Sequence, residues 1–300
     1  RIRSVLRRMS VSWFRRALCI SYARFGVTEN TMGSPSNTSG PVLWDVDGRG
    51  VATVTLNRPE VNNAYNGELV QGLLTALDAL GGTNGLRAVV IKGNGRHFQA
   101  GADLKWIDAV RTSSREENIR VSRATAEAVA RLNRVPIVTI ALVQGGCFGG
   151  GTGLIAACDV VIAADNAMFS IAEVRWGLTA AIIVPQLNDA IGVRQMRRYA
   201  LTGERFGAQE AQRIGLVHEV VPIAELASAG ERIVAAVLEN GPEAVAQTKA
   251  LALKGAFGDF TEAECSELIE SHAAKRQSAE AAEGLASFAE KRVAKWKAKR

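Results

Sequence analysis

The run Gln144-Gly145-Gly146-Cys147-Phe148-Gly149-Gly150-Gly151-Thr152-Gly153 constrains this chain more than any other stretch. An apolar, strand-like run (Ile137 to Val143) leads into it, and an apolar, helix-like run (Leu154 to Cys158) leaves it. Glycines remove side chains where a backbone turns sharply and approaches something closely. A helix opening at Gly150–Gly151 aims free N–H groups, and the positive end of its dipole, at whatever lies in front. That suits a negative oxygen, although a tight strand-to-helix turn with no ligand calls for the same glycines. The spacing is not G-x-x-x-x-G-K-[ST], so the loop is no Walker A phosphate cradle. Nor does it sit at the first βα turn, where a dinucleotide fingerprint belongs.

The formal charge of +6 looks basic until it is located. Residues 1–40 hold seven arginines, no lysine and a single acid, Glu29, which leaves 29 basic and 29 acidic side chains in residues 41–300. A nucleic-acid-binding domain carries its positive charge on the folded part, so no nucleic acid is expected as a partner. Cys19, Cys147, Cys158 and Cys265 are scattered, without C-x-x-C or a histidine spacing suited to zinc, so no metal is expected. No run of 18 apolar residues is present, so no membrane span is expected. The Arg-rich, acid-poor segment 1–40 reads either as a mitochondrial transit peptide or as sequence upstream of a start at Met32. The corresponding expectations are a cytoplasmic protein or, with a transit peptide, one of the mitochondrial matrix. In both readings residues 1–40 are a disordered extension, 41–225 the core, and 226–300 a helical C-terminal region.

Val42–Val46 and Val51–Leu56 are β-branched runs around Asp47-Gly48-Arg49-Gly50, a hairpin signal. Asn66 is placed to cap a helix to about Leu80, with Leu69, Leu73, Leu74, Leu77 and Leu80 at helical spacing. Ala88–Lys92 reads as a buried strand running into a second glycine-rich turn, Gly93 to Lys105, and a helix. A helix over 115–133, a strand over 137–143, the central loop with its helix, and a strand over 159–163 follow. Strand, glycine turn and helix thus recur, which predicts an α/β fold with a parallel sheet and ligands at the C-terminal strand ends. Beyond Pro185 the pattern is helical over 188–201, 208–214, 224–239, 242–254 and 261–297. The last of these has few apolar anchors and calls for another surface, such as a second subunit.

Two turns, at Ala102 and at Gly150, each offer a backbone N–H. Two such donors converging on one carbonyl oxygen make an oxyanion hole, worth about 3–4 kcal/mol per donor when water is excluded. Glu173 lies among Phe169, Ile171, Val174 and Trp176, neighbours that would desolvate its carboxyl and raise its pKa toward acid/base work. A surface salt bridge to Arg175 is the alternative. His97, His218 and His272 are far apart, and no Ser/His/Asp arrangement is visible. Asp103 suits the first turn of a helix, and Cys147 lacks a neighbouring base.

Taken in order, Asn57-Arg58-Pro59…Asn63-Ala64, Phe98 to Lys105, Gly145…Gly149-Gly150-Gly151, Phe169…Glu173-Val174…Gly177, Arg198 to Glu204, Gly215-Leu216-Val217…Val221 and Phe288…Lys291-Arg292 resemble the crotonase (enoyl-CoA hydratase/isomerase) family. The resemblance spans about residues 42–297. It implies a crotonase-type spiral of ββα repeats with a helical C-terminal trimerisation region, a homotrimer or dimer of trimers, and an acyl-CoA thioester substrate. It implies no cofactor beyond the coenzyme A of that substrate. Ala102 and Gly150 match the oxyanion-hole positions. Arg58, Ala64, Ala100 and Leu104 match the region that cradles coenzyme A. Phe288 and Lys291 match positions by which the last helix reaches a coenzyme A, often a neighbouring subunit's.

Hydratases of this kind carry two glutamates; Glu173 matches the second, but Gly153 stands at the first. The surrounding motifs look like a branch acting on methylglutaconyl-CoA and isohexenylglutaconyl-CoA, whose second carboxylate Arg175 or Arg96 would meet. The expected activity is therefore an enoyl-CoA hydratase with Glu173 as acid/base. The alternatives are a Δ3,Δ2-enoyl-CoA isomerase and a non-catalytic acyl-CoA-binding paralogue.

Overall fold

The computed structural model describes residues 36–255, Ala279, Glu283, Ala286, Ser287 and 290–296. In chain order these form β1 (Val42–Val46), β2 (Val51–Leu56), α1 (Gly67–Gly81), β3 (Ala88–Gly93), α2 (Leu104–Arg111), α3 (Arg115–Arg134), β4 (Val138–Val143), β5 (Gly146–Phe148), α4 (Gly150–Ala156), β6 (Val160–Ala164), β7 (Met168–Ser170), α5 (Val184–Thr202), β8 (Phe206–Gly207), α6 (Ala208–Arg213), β9 (Glu219–Val221), α7 (Leu226–Leu238) and α8 (Pro242–Gly255).

The hairpin forms as its sequence asks: β1 pairs antiparallel with β2, and the Asp47 carboxylate ties the turn by accepting from the N–H groups of Arg49 and Val51. From β2 onward the large sheet grows by parallel pairing, in the order β1-β2-β3-β4-β6-β9. Both faces are covered, which is why β3 and β4 read as nearly unbroken apolar runs. Val89, Ile91, Ala141 and Val143 face the main core with α1 and α3, while Ala88, Ile140, Leu142 and Ile162 pack under Leu226, Ala229 and Val234 of α7.

A second sheet, β5-β7-β8, consists of strands too short for periodicity to announce. It reveals the repeat. β4, β5 and α4 form one unit: a large-sheet strand, a small-sheet strand and a helix. β6, β7 and α5 form the next. The β3 segment begins the series, with Gln99 bridged to Cys147 as its small-sheet residue and α2 as its helix. This is the expected α/β spiral of ββα units, the crotonase fold.

Two expected boundaries move. Residues 36–40 were assigned to the extension, yet Asn37 pairs with Trp44 through both backbone bonds (2.7 and 3.0 Å), and its side chain donates to the Val42 carbonyl at 2.9 Å. The polar Gly/Ser/Asn composition that argued for disorder here makes a bend that adds one bridge to β1. The C-terminal helix was expected to reach residue 297, whereas residues 290–296 are turn and irregular chain, with Lys291 left-handed (φ 54°). Ala279, Glu283, Ala286 and Ser287 of that expected helix are helical, and Phe288 lies outside the described residues.

Candidate active site

Three consecutive repeats contribute one group each, at the same place in the unit: just beyond the small-sheet residue. They are Ala102, Gly150 and Glu173. Neither the Ala102 N–H nor the Gly150 N–H donates to any group among the described residues. Ala102 is bridged to Tyr65 by its neighbours, Tyr65 N–H donating to the Gly101 carbonyl (2.8 Å) and Asp103 N–H to the Tyr65 carbonyl (2.9 Å). That pattern leaves the N–H of Ala102 itself on the far side of the bridge. Gly149 (φ 51°) then brings the second turn against the first. A methyl group built on Gly149 would lie 3.8 Å from the Gly101 Cα and 3.1 Å from Glu173 Oε1. The two turns that carry these free N–H groups and the Glu173 carboxylate therefore lie close together around Gly149.

Glu173 opens a single 3-10 turn, Glu173–Trp176, closed by Gly177 in the left-handed region (φ 68°). Its Oε2 is buried without a hydrogen-bond partner. Burial raises its carboxyl above the ordinary carboxylate range, against a smaller lowering from its own backbone N–H. The expected direction holds, but part of the expected cause does not. Phe169 and Ile171 are buried, whereas Val174 (39%) and Trp176 (63%) face solvent. Gly149 and Tyr65 sit beside the carboxylate instead. The salt bridge to Arg175 is not formed; the Arg175 side chain runs along Gly203, its Nε 3.0 Å from where a Gly203 Cβ would be.

Gly153 is walled off. A Cβ there would stand 2.1 Å from Ile183 Cγ2 and 2.5 Å from Ile183 Cβ, and Ile183 is 1% exposed. The space beside the position matched to the first glutamate is filled by a buried aliphatic side chain, an apolar wall where that carboxylate would stand. Sequence reading missed both Ile183 and Tyr65. The aromatic ring of Tyr65 lies across Gly150, and a Cβ on Gly150 would meet Tyr65 Cε1 at 2.6 Å. A lone aromatic within the polar loop Asn62-Asn63-Ala64-Tyr65-Asn66 was the available signal.

The loops are held by polar side chains. Asn63 is fully buried and left-handed (φ 55°); it accepts from Arg58 N–H and donates to the carbonyls of Asn94 and His97. His97 Nδ1 accepts from the Gly146 N–H at 2.7 Å, and burial, then Arg96, lowers its pKa. Burial pushes the Cys147 thiol well up, so it is no nucleophile. Asp103 caps α2 through the Lys105 N–H.

Among the residues matched to coenzyme A binding, Arg58, Ala64, Ala100 and Leu104 come together beside the Ala102 turn. The Arg58 guanidinium binds the Ala64 carbonyl and pairs with Asp103 at 3.3 Å. Ala100 N–H donates to Asn62, and Leu104 is 50% exposed. Lys291 is not brought to them. Its segment is anchored at the other end of the large sheet, where Arg87, just before β3, donates to the Trp296 carbonyl and to that of Asn240 beyond α7.

Known proteins resemble this chain in sequence and in fold. Residues 47–299 match the enoyl-CoA hydratase/isomerase family model. The mevalonyl-coenzyme A hydratase sidH of Aspergillus fumigatus is 34% identical over 82% of this chain and 91% of its own length. The hydroxycinnamoyl-CoA hydratase-lyase of Pseudomonas fluorescens is 36% identical over 64% of this chain and 71% of its own. The crystal structure of an enoyl-CoA hydratase from Shewanella pealeana superimposes with a TM-score of 0.82, at 33% identity, over 86% of this chain and 96% of that one.

Proposed function

The chain belongs to the enoyl-CoA hydratase/isomerase family, and from that premise we propose that it hydrates the 2,3 double bond of an unsaturated acyl-CoA with one carboxylate. The observation that supports this is a pair of N–H groups without acceptors, at Ala102 and Gly150, on turns that meet around Gly149, beside which Glu173 Oε1 lies and the Glu173 Oε2 is buried without a partner. The thioester oxygen accepts from both donors, which draws electron density from C3. Glu173 takes a proton from water as the hydroxyl adds to C3 and the π electrons move to the thioester oxygen. The proton now on Glu173 passes to C2 as the enolate collapses. One carboxylate suffices because the proton it accepts is the proton it returns.

The substrate is read as a branched dicarboxylic enoyl-CoA, held by coenzyme A contacts around Arg58, Ala64, Ala100 and Leu104, with Phe288 and Lys291 serving a neighbouring subunit in a homotrimer or dimer of trimers. Supporting this, Arg96 and Arg175 make no ion pair among the described residues, so either is free to meet a second carboxylate. A second reading, Δ3,Δ2-isomerisation, is favoured by the aliphatic Ile183 wall at Gly153, because moving one proton from C2 to C4 requires no water.

The test follows the enoyl-thioester absorbance with crotonyl-CoA and 3-methylglutaconyl-CoA side by side. Hydration should be rapid, fastest with the dicarboxylic substrate, and Glu173→Gln should lower it by about 10²–10⁴-fold. No hydration of either, with rapid turnover of a 3-enoyl-CoA, replaces this reading with the isomerase.

A further inference from the structure

The hydration reading leaves the attacking water with one hydrogen unaccounted for. Glu173 accepts one O–H. The other needs an acceptor if a lone pair is to point at C3 and stay there, and Ile183 offers none. Tyr65 is a polar side chain close to Glu173. Its ring edge covers Gly150, with Cε1, Cδ1 and Cζ at 2.6, 3.2 and 3.3 Å from the position of a Cβ there. Glu173 Oε1 occupies the matching place over Gly149. The phenol and the carboxylate thus stand over adjacent residues of one loop, the second of which carries an oxyanion donor.

Tyr65 is also rigid. Two backbone hydrogen bonds clamp it to Gly101 and Asp103, and its ring packs edge-on against Trp106 at 5.7 Å and 71°. Its hydroxyl makes no hydrogen bond among the described residues. Desolvation, then the charge on Glu173, pushes the phenol up to about 12, so at neutral pH it keeps its proton and serves as a hydrogen-bonding group rather than a base.

We propose that the Tyr65 phenol oxygen accepts the second hydrogen of the attacking water, making Tyr65 a catalytic residue of the hydration proposed above, on which this inference rests. The proton inventory is unchanged. One water O–H breaks to Glu173, the O–C3 bond forms, Glu173 returns its proton to C2, and Tyr65 neither gains nor loses one.

Tyr65→Phe removes the oxygen and keeps the ring, and two reactions separate its role from packing. Crotonyl-CoA hydration needs the water. Exchange of the C2 hydrogens of butyryl-CoA into D2O, read by NMR, needs only Glu173 and the two N–H donors. In Tyr65→Phe, hydration should fall at least about tenfold while exchange stays within about twofold of the parent protein. Unchanged hydration, or an equal fall in both reactions, overturns the role of Tyr65. Glu173→Gln is run alongside. If it loses both reactions while Tyr65→Phe behaves as the parent, Tyr65 alone is wrongly assigned; if it keeps both, the hydration reading itself fails.

Discussion

At Glu173 ionisation works against folding, because the carboxylate lies against Gly149 with Oε2 unpartnered. Its folded-state pKa is raised above the unfolded value, so the stability contributed by the protonated form is complete below about pH 4.3 and is lost as pH rises through the folded pKa. Glu173→Gln should therefore raise the thermal midpoint at pH 7–8 and lose that gain toward pH 4, as scanning calorimetry would read. Hydration in the parent protein should rise with pH through a value above the ordinary carboxylate range. His97 has the opposite sign. Its pKa is lowered, so the Nδ1 bond to Gly146 is present above the unfolded value of about 6.5 and is lost as pH falls through the folded one. His97→Phe should remove that acid sensitivity of the loop and lower activity at every pH.

Among the elements, packing of α4 decides what the site can become. Gly153→Ala forces a Cβ onto Ile183 and should destabilise the protein by about 1–3 kcal/mol. Ile183→Ala should recover part of that in a double-mutant cycle followed by urea denaturation, whereas independent effects would mean that α4 shifts as a body. The elements with enough residues to repeat a pattern were legible: α1 is capped by Asn66 as read, its side chain accepting from Leu69 N–H at 3.0 Å, and α3 and β4 fall within a residue of expectation. Strands of two or three residues carry no period, so β5, β7 and β8 were not. The donors at Ala102 and Gly150 were legible because glycine marks them locally. Tyr65 and Ile183 were not, because their roles arise from contacts across 85 and 30 positions of sequence, which local composition does not record.

Across the whole molecule, the helical C-terminal region is pinned to the sheet by buried charge. Lys249 of α8, its side chain only 8% exposed, reaches Asp159 at 2.7 Å, and that carboxylate also accepts from the Thr139 N–H and hydroxyl. Asp159→Ala strands the ammonium and should cost about 3 kcal/mol in chemical denaturation, more than Lys249→Met, which leaves Asp159 with its Thr139 partners. The spiral also divides labour among its turns. On the function proposed above, its first two turns supply carbonyl polarisation through main-chain N–H groups, which no side-chain replacement deletes; the third supplies proton transfer through a side chain, which one codon can rewrite. On that reading a single substitution at the third turn would change which proton moves, while the bond that is weakened would stay the same.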